Sequence, residues 1–181
     1  MSCLAARLLP LLCLVLAACG STRPSPESGS YVGGSVAIEC APFARALTGV
    51  NLTGDAADWW PQAAGRYQRS ANPDVGSLLV FRRSSRLPSG HVAVVSQVLS
   101  ARQIRVSQAN WVHHRVTRDQ SIVDVSPAGD WTQVRVFWPP TGQLGTTVYP
   151  TFGFIHPDRP PSSGAIAQRT PEAIRTAQAG W

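Results

Sequence analysis

The chain contains no lysine. All 16 of its basic residues are arginine, set against 10 acidic ones, for a formal net charge of +6. An all-arginine basic set is what a coding bias produces, so no meaning attaches to each arginine singly. A basic surface suits anionic partners: nucleic acid, a membrane surface or a cell-wall polymer. Basic runs are lacking, apart from Arg82 and Arg83 with Arg86, and no nucleic-acid module is recognisable, which argues against nucleic acid. No apolar run is long enough to span a bilayer. Leu8 to Ala18 amounts to about a dozen residues where about 20 are needed. No Cys/His spacing suits zinc, so no metal and no organic cofactor is expected. Internal repeats are absent. Cysteine is scarce: Cys3, Cys13, Cys19 and Cys40 are all there are. With 181 residues, 44% of them hydrophobic, one domain can bury a core without disulfide staples.

The N-terminus reads as a targeting segment, residues 1–18. Arg7 supplies a positive start and Leu8 to Ala18 the apolar stretch. It ends in Leu16-Ala17-Ala18-Cys19, which resembles the lipobox of bacterial lipoproteins. That resemblance implies cleavage before Cys19 and a lipid on its sulfur. It places the protein in the bacterial cell envelope, anchored to a membrane and facing the periplasm. Gly20, rather than Asp, follows Cys19, which leans towards the outer membrane in a diderm. Residues 19–35 are rich in Ser, Gly and Pro and read as a flexible tether. Once Cys3 and Cys13 leave with the signal and Cys19 takes the lipid, only Cys40 remains. A lone thiol in an exported domain is a flag for reactivity.

Cys40 heads a stretch that predicts a short helix. Cys40, Phe43, Ala44 and Leu47 fall on one helical face. Pro42 is tolerated in a first turn, and Gly49 is a natural stop. Free backbone N–H groups and the positive end of the helix dipole then lie near the sulfur and favour thiolate. A second helical stretch runs from an N-cap at Asp55 through Trp59 and Trp60 to Gly65. The period then changes. Ser77–Phe81 reads as a strand buried on both faces, His91–Leu99 as a second, Ile104–Asn110 as a third, and Val134–Trp138 as another. Helices first and strands after predict an α+β domain over residues 36–157. Residues 158–181, rich in Pro, Ser and Gly, read as a loosely attached or disordered tail with a short helix from Pro171 to Ala179.

A thiol nucleophile needs a base and a group that orients the base. His91 opens the second strand, directly after Gly90. The hairpin brings the end of the third strand back beside it, with Gln108 and Asn110 two apart on one face. An amide oxygen from either can fix one ring N–H of His91 and leave the other nitrogen for Cys40. His113, His114 and His156 have no such placement, and Trp111 reads as core.

These pieces together resemble the CHAP domain, the cysteine- and histidine-dependent amidohydrolase/peptidase family of papain-like fold. The resembling residues are Cys40 with Pro42 to Arg45, Gly54 to Ala56 with Trp59 and Trp60, Val75 to Ser77, Gly90 to Val95, and Val106 to Trp111. The resemblance implies N-terminal helices packed on an antiparallel sheet. It also implies hydrolysis of a peptidoglycan amide bond through a thioester acyl-enzyme. Cys40 matches the nucleophile, His91 the base, and Asn110 the polar residue ending the third strand, with Gln108 helping to orient His91. Two residues depart from the family pattern. Gln108 stands where many members carry a Glu, and Glu39 stands before Cys40 where Gln is common. A neutral Gln108 stabilises an imidazolium less, and a carboxylate beside Cys40 raises the thiol pKa. A weak or inactive wall-binding lipoprotein is the alternative that these departures keep open.

Overall fold

The computed structural model describes residues 29–180. The signal segment, Cys19 and the tether before residue 29 lie outside the described residues. In chain order the elements are β1 (Ser30–Val32), α1 (Cys40–Thr48), a 3-10 turn (Ala56–Asp58) running into α2 (Trp59–Gln62), β2 (Gln68–Ser70), β3 (Leu78–Phe81), β4 (His91–Ser100), β5 (Gln103–Ala109), β6 (Val116–Asp124), β7 (Gln133–Trp138), β8 (Gln143–Leu144), β9 (Tyr149–His156) and α3 (Ser163–Ala179). No helix among the described residues is long and apolar enough to cross a membrane.

The strands pair antiparallel in the order β6-β5-β4-β3-β9-β7, and β7 pairs again with β6. Six strands therefore close into a barrel. β1, β2 and β8 add to its outside edges on β6, β9 and β7. This corrects the expected papain-like α+β arrangement of N-terminal helices packed on an antiparallel sheet. The molecule is mostly sheet, the sheet is closed, and α2 is a single turn. The closing strands escape a reading of apolar period. β6 carries Thr117, Gln120 and Ser121 at buried positions, so its burial leaves no apolar alternation. β9 contains Pro150 and Gly153, which ordinarily demote a strand.

Alternation along the strands sorts the core into two layers. Leu79, Phe81, Ala93, Val95, Ile104 and Val106 point into the barrel with Trp131 and Phe154. Leu78, Val80, Val92 and Val94 point outward, under α1 and α3. β3 is thus buried on both faces because it carries one layer on each side.

Residues 163–179 form one helix, capped by Ser162, whose hydroxyl accepts from the Ala165 N–H at 3.3 Å. Its apolar stripe of Ile166, Ala173, Ile174 and Ala177 belongs to the same buried cluster as Phe43 and Leu47 of α1. Thr170 donates its hydroxyl to the Ile166 carbonyl at 2.7 Å within the helix. Ile166 is fully buried, so Ile166→Ala is expected to lower the unfolding free energy by about 2–5 kcal/mol. An unchanged urea midpoint would mean that α3 is not part of the cooperative unit.

Candidate active site

Cys40 opens α1, and Glu39 precedes it in extended conformation as the N-cap residue. The sulfur lies on the face that packs against β4, and Cys40 is only 9% exposed. Burial pushes its thiol from an ordinary 9.0 up to about 11. The Glu39 carboxylate adds to that, while backbone N–H groups of Val92, Ala41 and Cys40 pull the other way. In the resting protein this burial opposes the thiolate expected from the helix N-terminus. Desolvation outweighs the amides and the dipole.

His91 sits at the start of β4, paired with Phe81 of β3. The chain reaches it through Gly90, which has φ 72°. A Cβ there would come within 2.6 Å of the Ala57 side chain and 2.7 Å of the Phe81 carbonyl oxygen, so only glycine fits. The imidazole is buried and wedged against Phe81 and Trp111, with ring centroids 5.5 and 5.1 Å away. Burial draws its pKa from 6.5 down to about 4, against a weaker upward pull from Gln108.

The hairpin brings Gln108, not Asn110, onto His91. The Gln108 Oε1 atom lies 2.8 Å from His91 Nε2. The proton on that nitrogen follows from a chain of amides. The Phe137 carbonyl can only accept, so Gln120 turns its Nε2 to it at 2.6 Å. Gln120 Oε1 is then left to accept from Gln108 Nε2 at 2.9 Å and from the Thr117 hydroxyl. Gln108 must therefore present its oxygen to the ring. His91 Nε2 carries the hydrogen, and Nδ1 is left with the lone pair.

Asn110 is placed differently. It adopts φ 58°, a left-handed conformation that Asn tolerates. Its Nδ2 donates to Glu39 at 2.8 Å and its Oδ1 accepts the His114 N–H at 2.9 Å. Asn110 thus holds the carboxylate beside Cys40, while Gln108 holds the imidazole.

Cys40, His91, Glu39 and Asn110 line one cleft of about 680 Å³, with Arg45, Asp55 and Arg86 around its rim. The loop from Arg82 to Gly90 forms one wall. Arg83 pins that loop, bonding Asp58 through both guanidinium NH2 groups and Asp55 through one, at 2.7–3.0 Å. Asp55 therefore spends its carboxylate on Arg83 and makes no side-chain cap. The amide chain behind His91 and the Arg83 clamp were not legible in the sequence. Neither carries a local motif, and Gln120 acquires a role only once β6 is known to be a strand.

The remaining histidines lie elsewhere. His113 and His114 stack on each other at 3.7 Å. His156 touches the Ser70 hydroxyl at 2.8 Å and Asp74 at 3.2 Å through its two ring nitrogens. That order matches a serine triad, but the Ser70 hydroxyl is also engaged by the backbone of Asn72 on both sides, so the group ties β2 to β9. No group of three or more metal-ligating side chains occurs among the described residues.

A neutral imidazole buried in the fold makes stability depend on pH. The His91 pKa is lower folded than unfolded, so its contribution is present above pH 6.5 and is lost as pH falls towards 4. A shift of this size corresponds to about 2–3 kcal/mol lost by pH 4.5. Urea unfolding at pH 7 and 4.5 is expected to show that loss in the wild type and a smaller one in His91→Gln. Equal losses would mean that His91 titrates normally.

No curated protein matches the chain. The family model of the CHAP domain matches residues 29–110. CHAP domains are associated with hydrolases of the amidase and peptidase type, and peptidoglycan is the substrate that the family suggests. The match ends where β5 gives way to Trp111, so every residue lining the cleft from Glu39 to Asn110 falls inside it, and over these residues the chain is similar to the CHAP domain.

Proposed function

We propose that the protein hydrolyses an amide bond in peptidoglycan through a thioester on Cys40. As the sulfur attacks the carbonyl carbon, the thiol proton passes to His91 Nδ1. The oxyanion that forms is held by backbone N–H groups at the start of α1. His91 then delivers the proton to the leaving amine, and the C–N bond breaks. A water, giving its proton to His91, attacks the thioester, and the acid product leaves as the thiol is restored. Gln108 keeps the ring in the required tautomer throughout. With a lipid on Cys19, the enzyme works from the membrane surface of the envelope, facing the periplasm.

The observation that carries this reading is the single cleft shared by Cys40 and His91, with Gln108 fixing which ring nitrogen is free. The test is incubation of purified sacculi with the full-length chain, followed by labelling of new amino groups. New amines in step with protein concentration are the expected result. Tight binding to sacculi with no new amines would overturn hydrolysis and leave a wall-binding protein. That second reading draws on the neutral thiol and imidazole, neither charged at pH 7.

A further inference from the structure

A second hollow, of about 360 Å³, opens beside the cleft. Arg86 lines both spaces. Trp111 forms the wall between the hollow and the base: its ring touches His91 on one side and Tyr149 on the other, at 5.1 and 5.0 Å. The remaining lining comes from the end of β7, from β8 and from the segment leading into β9, all beyond the residues that match the family model. Most of the hollow's lining therefore lies outside the matched residues.

Its chemistry is mixed in a particular way. Trp138 is 37% exposed and makes no ring contact among the described residues. Leu144 in the lining and Val148, next in sequence to the lining residue Thr147, are also exposed, so three of the five exposed large hydrophobic residues among those described lie between Trp138 and Val148 in the sequence. Between them stand Gln143, Thr146 and Thr147, whose side chains make no hydrogen bond in the described fold. Purely apolar ligands would waste these donors and acceptors. A pyranose ring uses both: its C–H face lies on an indole, and its hydroxyl and acetamido groups meet amides and hydroxyls. The volume is at the lower end for ligand pockets and suits one sugar unit. Arg86, exposed and in no ion pair among the described residues, stands where a carboxylate would pass from the hollow to the cleft.

We infer that this hollow is a saccharide subsite. It takes an N-acetylated amino sugar joined to the peptide that lies in the cleft, with Trp138 as the stacking platform and Arg86 meeting an acidic group between the two. The inference rests on the hydrolytic reading of Cys40 and His91 and adds to it that the preferred substrate is a glycopeptide rather than a bare peptide.

Binding and turnover test the two separately. The full-length Cys40→Ala chain, titrated with the N-acetylglucosamine trisaccharide, is expected to show a saturable change in tryptophan fluorescence. Adding Trp138→Ala should weaken that binding about tenfold, the size of one aromatic contact. Gln143→Ala, at an exposed position, should weaken it as well. Tyr31→Ala, an exposed aromatic that lines neither space, should not. No saturable binding, or equal binding in the Trp138 and Tyr31 variants, overturns the subsite. In turnover by the wild type, a sugar-bearing peptide is expected to exceed the same peptide without the sugar in kcat/KM by about tenfold. Equal values overturn the subsite and leave the hydrolase. Trisaccharide binding through Trp138 without turnover of either peptide keeps the subsite and overturns the hydrolase.

Discussion

Cys40→Ala is expected to lower amide hydrolysis by at least about 10³-fold, and His91→Ala by a similar factor. Without the sulfur no acyl-enzyme forms, and only substrate orientation and the backbone N–H groups at the start of α1 remain. Without His91 the thiol keeps its proton, because burial holds it at about 11. The two groups act as one unit, so the double replacement should lose little more than either single one. Cys40→Ser should behave like Cys40→Ala, since a hydroxyl in the same buried place is a weaker acid still. Release of amino groups from sacculi measures all four. Alanine suits the first turn of a helix, so the melting temperature of Cys40→Ala should move by only a few degrees, which separates lost chemistry from lost fold. More than a tenth of wild-type activity in Cys40→Ala would sink the nucleophile.

The parts legible in the sequence were those with a local signal. The face formed by Cys40, Phe43, Ala44 and Leu47 is the face that α1 buries. The β4–β5 hairpin did bring Gln108 against His91. Hairpin length could not decide between Gln108 and Asn110. That depended on Asn110 leaving the strand in a left-handed conformation, which turns its amide to Glu39. The thiolate expectation weighed the helix end and not the depth of the sulfur, whose burial raises the thiol pKa. Barrel closure was invisible because β6 hides buried polar side chains whose partners come from other strands, as with Gln120 on the Phe137 carbonyl. The packing of α3 was masked by composition: Ala173 and Ala177 fill its inner face, and small residues among Pro, Ser and Gly resemble a linker until α1 is placed beside them.

Gln108→Glu is expected to convert the neutral thiol and imidazole into a more reactive pair. A carboxylate at Gln108 would face the N–H of His91, and an opposite charge at that distance raises a histidine pKa by about 1–3 units. The charged imidazole would then favour the thiolate on Cys40. A fall of two units in the thiol pKa gives about a hundredfold more thiolate at pH 7. Each thiolate is then less nucleophilic, by nearly tenfold, because nucleophilicity falls with basicity. The net gain in Cys40 alkylation at pH 7 is therefore about tenfold, with the midpoint of its pH profile moving from near 11 towards 9. Mass spectrometry that resolves the Cys40 peptide keeps the other cysteines out of the measurement. Glu39→Gln should move the midpoint the same way by less, since the Glu39 charge is a smaller cause than burial, and its amide oxygen can still accept from Asn110. The exchange has a cost. A carboxylate at Gln108 meets Gln120 Oε1, so Gln120 must turn and leave the Phe137 carbonyl without its donor, at about 1–3 kcal/mol of stability. A midpoint unmoved in Gln108→Glu would mean that His91 does not govern the thiol, and the assignment of His91 as the base would fall with it.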